Sequence, residues 1–363
     1  MTFKTPLNNK HRELHAKLVD FAGWEMPLYY GSQIEEHNRV RQDAGMFDVS
    51  HMNIVDIKGK DAHDFLCYLL ANDIDKLKTI GAALYSCMLN ENGGVVDDLI
   101  VYKISQRDYR IVVNAATREK DLAWMKKQAE NFDVNVIERT GFAMIAIQGP
   151  NAREKTKQAL TIEQAKAVEN LKPFHGIGVG EWWIARTGYT GEDGYEIILP
   201  VFEASMFWSK LLKCDIAPCG LVARDSLRLE AGLCLYGSEM DETVTPLEAN
   251  LTWTVAWQPE SRDFIGREAL EKQKSEGVTR TLVGVILEDK GILRSHQKVI
   301  IPNIGEGETT SGGFSPTLNC AIALARVPAN VKIGDECLVV IRDKQLKAKI
   351  TKPAFIKRGQ KIF

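Results

Sequence analysis

Between residues 50 and 137 the apolar periodicity switches repeatedly between two and 3.6 residues, and this rhythm restricts the fold more than any other feature of the chain. Residues 50–57 (SHMNIVDI) alternate as a strand. Asp61 can cap a helix that carries Phe65, Leu66, Leu69 and Leu70 at helical spacing. A strand over 83–89 follows, then a Glu91-Asn92-Gly93-Gly94 turn and strands over 95–104 and 109–113. A helix over 114–131, with Leu122, Trp124 and Met125, and a strand over 134–137 close the set. The β-α-β-β-β-α-β succession predicts a ferredoxin-like α+β unit over about residues 50–140, a sheet with two helices on one face and one extra strand.

On either side the patterning changes. Residues 18–28 mix aromatics with a Gly-Trp pair in no clean period and predict a packed loop, whereas 32–43 favours a helix. Strands are expected over 142–148, 182–186 and 195–199, with helices starting at Pro150-Asn151-Ala152 and reaching toward Leu160, and over 202–213 and 221–230. A boundary is expected near 274–279. Beyond it, short strands over 280–287, 298–301, 321–325, 336–341 and 346–351, separated by Gly, Pro and Asn, predict a small β-barrel or sandwich. The expected division is therefore residues 1–275 and a C-terminal β-barrel over 276–363, in a chain whose 363 residues have room for two or three domains.

Charge and motif content remove several function classes. The 46 Lys and Arg nearly balance 48 Asp and Glu, so no long-range field draws the chain to nucleic acid or to an anionic membrane. That average hides a positive end, because seven basic residues and no acidic one follow from Lys344 onward. No stretch approaches the ~18 apolar residues of a membrane span and no signal core opens the sequence, so a cytoplasmic location is expected. Seven scattered cysteines without a Cys-x-x-Cys pair argue against a disulfide framework and against zinc or iron–sulfur ligation. The histidines have no metal-ligand spacing, so no metal is expected. A dinucleotide fingerprint, a nucleophile elbow and a base-stacking platform are also missing from the sequence.

Three clusters carry possible chemistry. In GGVVDDLIVY (93–102), adjacent Asp97 and Asp98 sit in an apolar strand, where neighbours point to opposite faces. At least one carboxylate must then be buried or line a cleft, where it is paired, hydrogen-bonded to nearby amides, protonated or catalytic. In RTGYTGEDGYE (186–196), three glycines let backbone approach a ligand while Tyr189, Tyr195 and Glu196 supply flat faces and a carboxylate; a plain hairpin is the competing account. In ARDSLRLEAG (223–232), Arg224 and Arg228 share a helix face, and one of them can fork onto a carboxylate or a ligand, or both can form surface pairs. Spacing alone points to a cleft enzyme with a carboxylate, a Gly/Tyr/Glu loop and an arginine, acting on a neutral planar ligand.

Taken together with VDFAGWEMPLYY (19–30), AGMFDVSHM (44–52), VVNAATREKD (112–121), IQGPNA (147–152), DFIGREAL (263–270) and TSGGFSPTL (310–318), these segments resemble the aminomethyltransferase (T-protein) family of the glycine cleavage system, in order and along nearly the whole chain. The resemblance implies an α+β fold of three domains in a cloverleaf, with a ferredoxin-like unit, a central folate-binding region and a C-terminal β-barrel. It implies transfer of the methylene carbon from the aminomethylated lipoyl arm of the carrier H-protein to tetrahydrofolate, with release of ammonia and dihydrolipoyl H-protein. Tetrahydrofolate is the implied co-substrate and lipoate resides only on the partner. Carried over by motif position, Asp98 is the implied catalytic carboxylate, Glu196 the pterin-holding carboxylate and Arg228 its companion. Tyr85, Asn114 and Tyr189 are the implied lining of the folate site. Two relatives with the same fold are set aside: the iron–sulfur assembly branch has a Lys-Gly-Cys motif that DFIGREAL lacks, and the flavin-fused demethylases need a dinucleotide fingerprint. A non-catalytic folate-binding or carrier-docking protein remains as the alternative from another class.

Overall fold

The computed structural model describes residues 2–363. The chain forms two compact units: Met1–Phe65 with Ile74–Leu84 and Leu99–Asp225, and Leu66–Asp73 with Tyr85–Asp98 and Ser226–Phe363. Strands Ala83–Leu89 and Val95–Lys103 each contribute residues to both units.

Those two strands belong to a five-stranded sheet whose order is Ala83–Leu89, Val95–Lys103, Asp108–Val113, Asn53–Gly59, Val134–Glu138. The earliest strand, Asn53–Gly59, lies antiparallel between two later ones, which is the ferredoxin-like arrangement with one added edge strand. Helix Ala62–Leu69 buries Phe65, Leu66 and Leu69, as their spacing requires. The other helix is shorter than expected. It runs over Arg118–Gln128 and continues as a 3-10 turn to Asn131, so Asn114 stands outside it, directly after strand Asp108–Val113.

A second sheet in the first unit has the order Gly176–Val179, Trp182–Ala185, Gly194–Pro200, Phe142–Gln148, Gly45–Asp48, Ala217–Pro218. Its central strands are mostly apolar, with Glu196, Gln148 and Asp48 as buried polar exceptions. Helices Ala152–Ala159 and Val201–Lys213 pack on the sheet, so a continuous apolar run such as FAMIAIQ is buried almost throughout. Met46, Ile145, Ile147, Ile197, Leu199, Phe207 and Trp208 form this core.

The expected loop over 18–28 is instead a hairpin. Strand Lys17–Phe21 pairs antiparallel with Trp24–Tyr29 through a two-residue turn at Ala22 and Gly23, both with positive φ. Such a turn matches the strand twist, and the Asp20 carboxylate accepts from the Gly23 N–H at 2.9 Å. The bulge beside Pro27 breaks the alternation that would have announced the strand.

The C-terminal strands close into a barrel of six rather than five: Arg280–Leu287, Cys320–Pro328, Gly305–Ser315, Lys298–Ile301, Glu336–Ile341, Lys344–Thr351. The additional strand is GEGETTSGGFS, which has almost no apolar residue to alternate. Its buried members are polar and satisfied individually: Thr309 donates to the Arg294 carbonyl at 2.6 Å and Ser315 to Glu230 Oε1 at 2.5 Å. Val285, Val299, Ala323, Val339 and Ile350 fill the barrel. All seven basic residues from Lys344 onward are exposed. Among the described residues no helix is long and apolar enough to cross a membrane.

Candidate functional site

The two neighbouring aspartates separate as strand geometry demands. Asp97 is fully buried and Asp98 half-buried. Within the second unit, the Tyr85 hydroxyl donates to Asp98 Oδ2 at 2.9 Å. Tyr85 is fixed at its backbone, where its carbonyl accepts from the Asn72 side-chain amide at 2.8 Å. Burial, and after it the Asp98 charge, push the phenol well above its ordinary pKa, so it stays a proton donor to the carboxylate. Trp253 stacks on the same ring, with centroids 5.5 Å apart and planes 23° apart. The Cys87 and Cys234 thiols of this unit are pushed up by burial and are inert as nucleophiles.

The Gly/Tyr/Glu segment lies in the first unit. Glu196, 8% exposed, stands in the middle of strand Gly194–Pro200 with apolar neighbours on both sides. Thr187 donates to Glu196 Oε2 at 2.6 Å, which commits the Thr187 proton, so the buried Tyr102 hydroxyl donates in turn to Thr187 at 3.0 Å. The relay points the Thr187 proton at the carboxylate and the Tyr102 proton at Thr187, so the Glu196 side chain is held in one orientation. The loop between is held by Gln148, which donates to the Thr187 carbonyl at 3.1 Å and accepts from Thr190 at 2.8 Å. A Cβ at Gly188 would stand 1.9 Å from Gln148 Oε1, so any side chain there would displace the amide that holds the loop.

Tyr189 lies under the Arg224 guanidinium, whose Cζ is 4.8 Å from the ring centroid. Burial lowers the Arg224 pKa, and among the described residues its buried Nη1 has no hydrogen-bond partner. A buried guanidinium N–H is costly to leave unmade, so Arg224 has donor capacity for a ligand. Its companion Arg228 is engaged otherwise. Nη1 donates to Glu239 Oε2 at 3.0 Å and Nη2 to Ser311 Oγ at 2.9 Å. Arg228 therefore meets a carboxylate, Glu239, through one nitrogen, and Arg224 packs on Tyr189.

Asn114 is partly buried, and its carbonyl accepts from Thr117 at 3.1 Å, just before helix Arg118–Gln128. Trp253 and Thr187 went unremarked in the sequence. Thr187 sat beside the noticed glycines, and Trp253, in LTWTV, had no pattern to mark it. Among the described residues no group of three or more His, Cys, Asp or Glu could hold a metal ion.

His51, in the first unit, is buried against Phe21, with ring centroids 5.6 Å apart, and desolvation pushes it down to about 4 despite the opposing Asp48 charge. Its unfolded value is 6.5, so the unfolded chain takes up a proton between pH 6.5 and 4 that the folded chain refuses. Stability is therefore full above pH 6.5 and falls as pH drops through that window, by roughly 3 kcal/mol from this group. Urea unfolding at pH 7, 5.5 and 4.5 of wild type and His51→Asn checks this; an equal loss in both proteins would clear His51.

Residues 7–259 match the GCVT N-terminal domain, and 280–357 match the glycine cleavage T-protein C-terminal barrel domain. The chain is 54% identical over 359 residues to an aminomethyltransferase of Pseudomonas syringae pv. tomato, covering 99% of each. The crystal structure of the glycine cleavage system aminomethyltransferase T from Bartonella henselae superposes with a TM-score of 0.93 at 35% identity, over 99% of each chain. On sequence, domain content and fold alike, the chain belongs to the aminomethyltransferase family of the glycine cleavage system.

Proposed function

We propose that this chain takes the aminomethyl group carried as a thioether on the lipoyl arm of H-protein and delivers its carbon to tetrahydrofolate. The carbon–sulfur and carbon–nitrogen bonds of the aminomethyl group break, and two carbon–nitrogen bonds to the folate form. The two folate N–H protons leave on ammonia and on the lipoyl thiol, so the products are methylene-tetrahydrofolate, ammonia and dihydrolipoyl H-protein. When bound, tetrahydrofolate supplies the attacking nitrogens.

The observation that carries this reading is the half-buried Asp98 carboxylate, held at one oxygen by a phenol that stays protonated. A fixed anion of this kind can orient an amine, stabilise the iminium character that develops at the carbon, and accept a proton. Glu196 offers an oriented carboxylate to the amino and ring N–H donors of the pterin edge, with the Tyr102–Thr187 relay behind it. Arg224 supplies the opposite polarity for the ring's carbonyl, and Tyr189, beneath the guanidinium, a flat face. Asn114 adds an amide to the lining. Arg228 contributes indirectly, through its ion pair with Glu239 and its bond to Ser311.

The reaction is tested by mixing the protein with aminomethylated H-protein and following ammonia. Release that needs tetrahydrofolate is the expected result, and release at the same rate without it would remove the folate step. Glu196→Ala is expected to weaken tetrahydrofolate binding by at least about tenfold, the cost of losing charge-assisted hydrogen bonds. Calorimetric titration of the variant reads this directly, and wild-type affinity would refute the pterin role.

A further inference from the structure

We propose that Trp253 is a positioning residue that acts on the Asp98 carboxylate through Tyr85, and this rests on the catalytic reading of Asp98 given above. Trp253 is 62% exposed, although it is one of the largest apolar side chains in the protein. Its backbone is nevertheless firmly built. It sits in the 3-10 turn Thr252–Thr254, where the Thr254 hydroxyl donates to the Leu251 carbonyl at 2.7 Å. The Cys87 thiol, two residues beyond Tyr85 on the same strand, reaches Thr254 Oγ1 at 3.6 Å. Just after the turn, the Ala256 N–H donates to the Ala71 carbonyl at 3.0 Å.

An exposed indole on a pinned turn gains little from burial, so stability alone does not account for its place. Its main aromatic neighbour does. The near-parallel stack, at 5.5 Å and 23°, restricts the tilt of the Tyr85 ring, and the position of its hydroxyl decides where Asp98 Oδ2 is held. The chain of contact is indole, phenol, carboxylate. One carboxylate oxygen is thereby kept on Tyr85 and the rotation of the group is fixed, which is the preorganisation a charge-stabilising residue needs.

The test is a double-mutant cycle on the full-length protein with aminomethylated H-protein and tetrahydrofolate. Wild-type turnover is measured first, and its absence overturns the functional reading whatever the variants do. With turnover present, Trp253→Ala is expected to lower kcat about tenfold with KM for tetrahydrofolate within about twofold. Trp253→Phe, which can still stack, should recover most of the loss. In a Tyr85→Phe background, where the hydrogen bond is already gone, Trp253→Ala should cost less than about twofold more. A full additional tenfold loss in that background, a rise in KM at unchanged kcat, or no rescue by Phe would each overturn the proposal. If the Ala variant fails to fold, Trp253→Leu against Trp253→Phe carries the same comparison.

Discussion

Asp98→Asn is expected to lower turnover by about a hundredfold or more while tetrahydrofolate affinity stays within about tenfold, roughly 1.4 kcal/mol. The substitution is nearly isosteric. It keeps an acceptor for the Tyr85 hydroxyl, which now sits 2.9 Å from Oδ2, and so spares the local geometry. What it removes is the negative charge opposite the developing iminium and the capacity to take up a proton, two contributions felt in the transition state more than in binding. Ammonia release under saturating substrates gives kcat, and calorimetry gives the folate affinity. Unchanged turnover would remove Asp98 from the mechanism; an equal fall in affinity and rate would make Asp98 a binding group.

The second large effect is on stability. Glu239→Ala is expected to destabilise the second unit by about 3–5 kcal/mol, because it leaves the Arg228 guanidinium buried without its counter-ion. The two side chains are 3% and 0% exposed. Glu239 also accepts from the Leu235 N–H at 2.8 Å and from the Thr310 hydroxyl at 2.6 Å, so one deletion strands several donors. Replacing both partners together, Arg228→Met with Glu239→Leu, is expected to cost less than the two deletions summed, since no charge is then left unpaired even though the Leu235 N–H still loses its acceptor. Denaturant unfolding of the two singles and the double settles it; additive losses would show that the pair is worth only its separate packing.

How much of this was legible in the sequence depended on whether apolar periodicity carried the signal. The ferredoxin-like strands and the helix with Phe65, Leu66 and Leu69 were, because one face of each packs on a core. Strand Gly305–Ser315 was not, since its inward groups are hydroxyls whose partners, Glu230 and the Arg294 carbonyl, lie far along the chain or in a loop. The hairpin at 17–29 was hidden for a related reason: its turn uses Ala22 at positive φ, a residue that does not announce such a turn. At the site, alternation alone placed Asp97 and Asp98 on opposite faces. That Arg228 pairs with Glu239 and Arg224 packs on Tyr189 was beyond reach, because the helix spacing involves neither partner.

The discontinuity of the second unit has a consequence for the birth of the protein. Ala71, Cys87, Leu89 and Val95 share a core with Leu251, Phe264 and Leu324, yet all of Leu99–Asp225 is synthesised in between. At ordinary elongation speed Leu251, Phe264 and Leu324 follow Val95 by on the order of ten seconds. During that interval Ala71, Cys87, Leu89 and Val95 lack the later half of their core, so ribosome-bound intermediates are the stage at which chaperones have most to shield. A nascent chain stalled short of Ser226 can complete much of the first unit but not the surroundings of the carboxylate on which the chemistry depends.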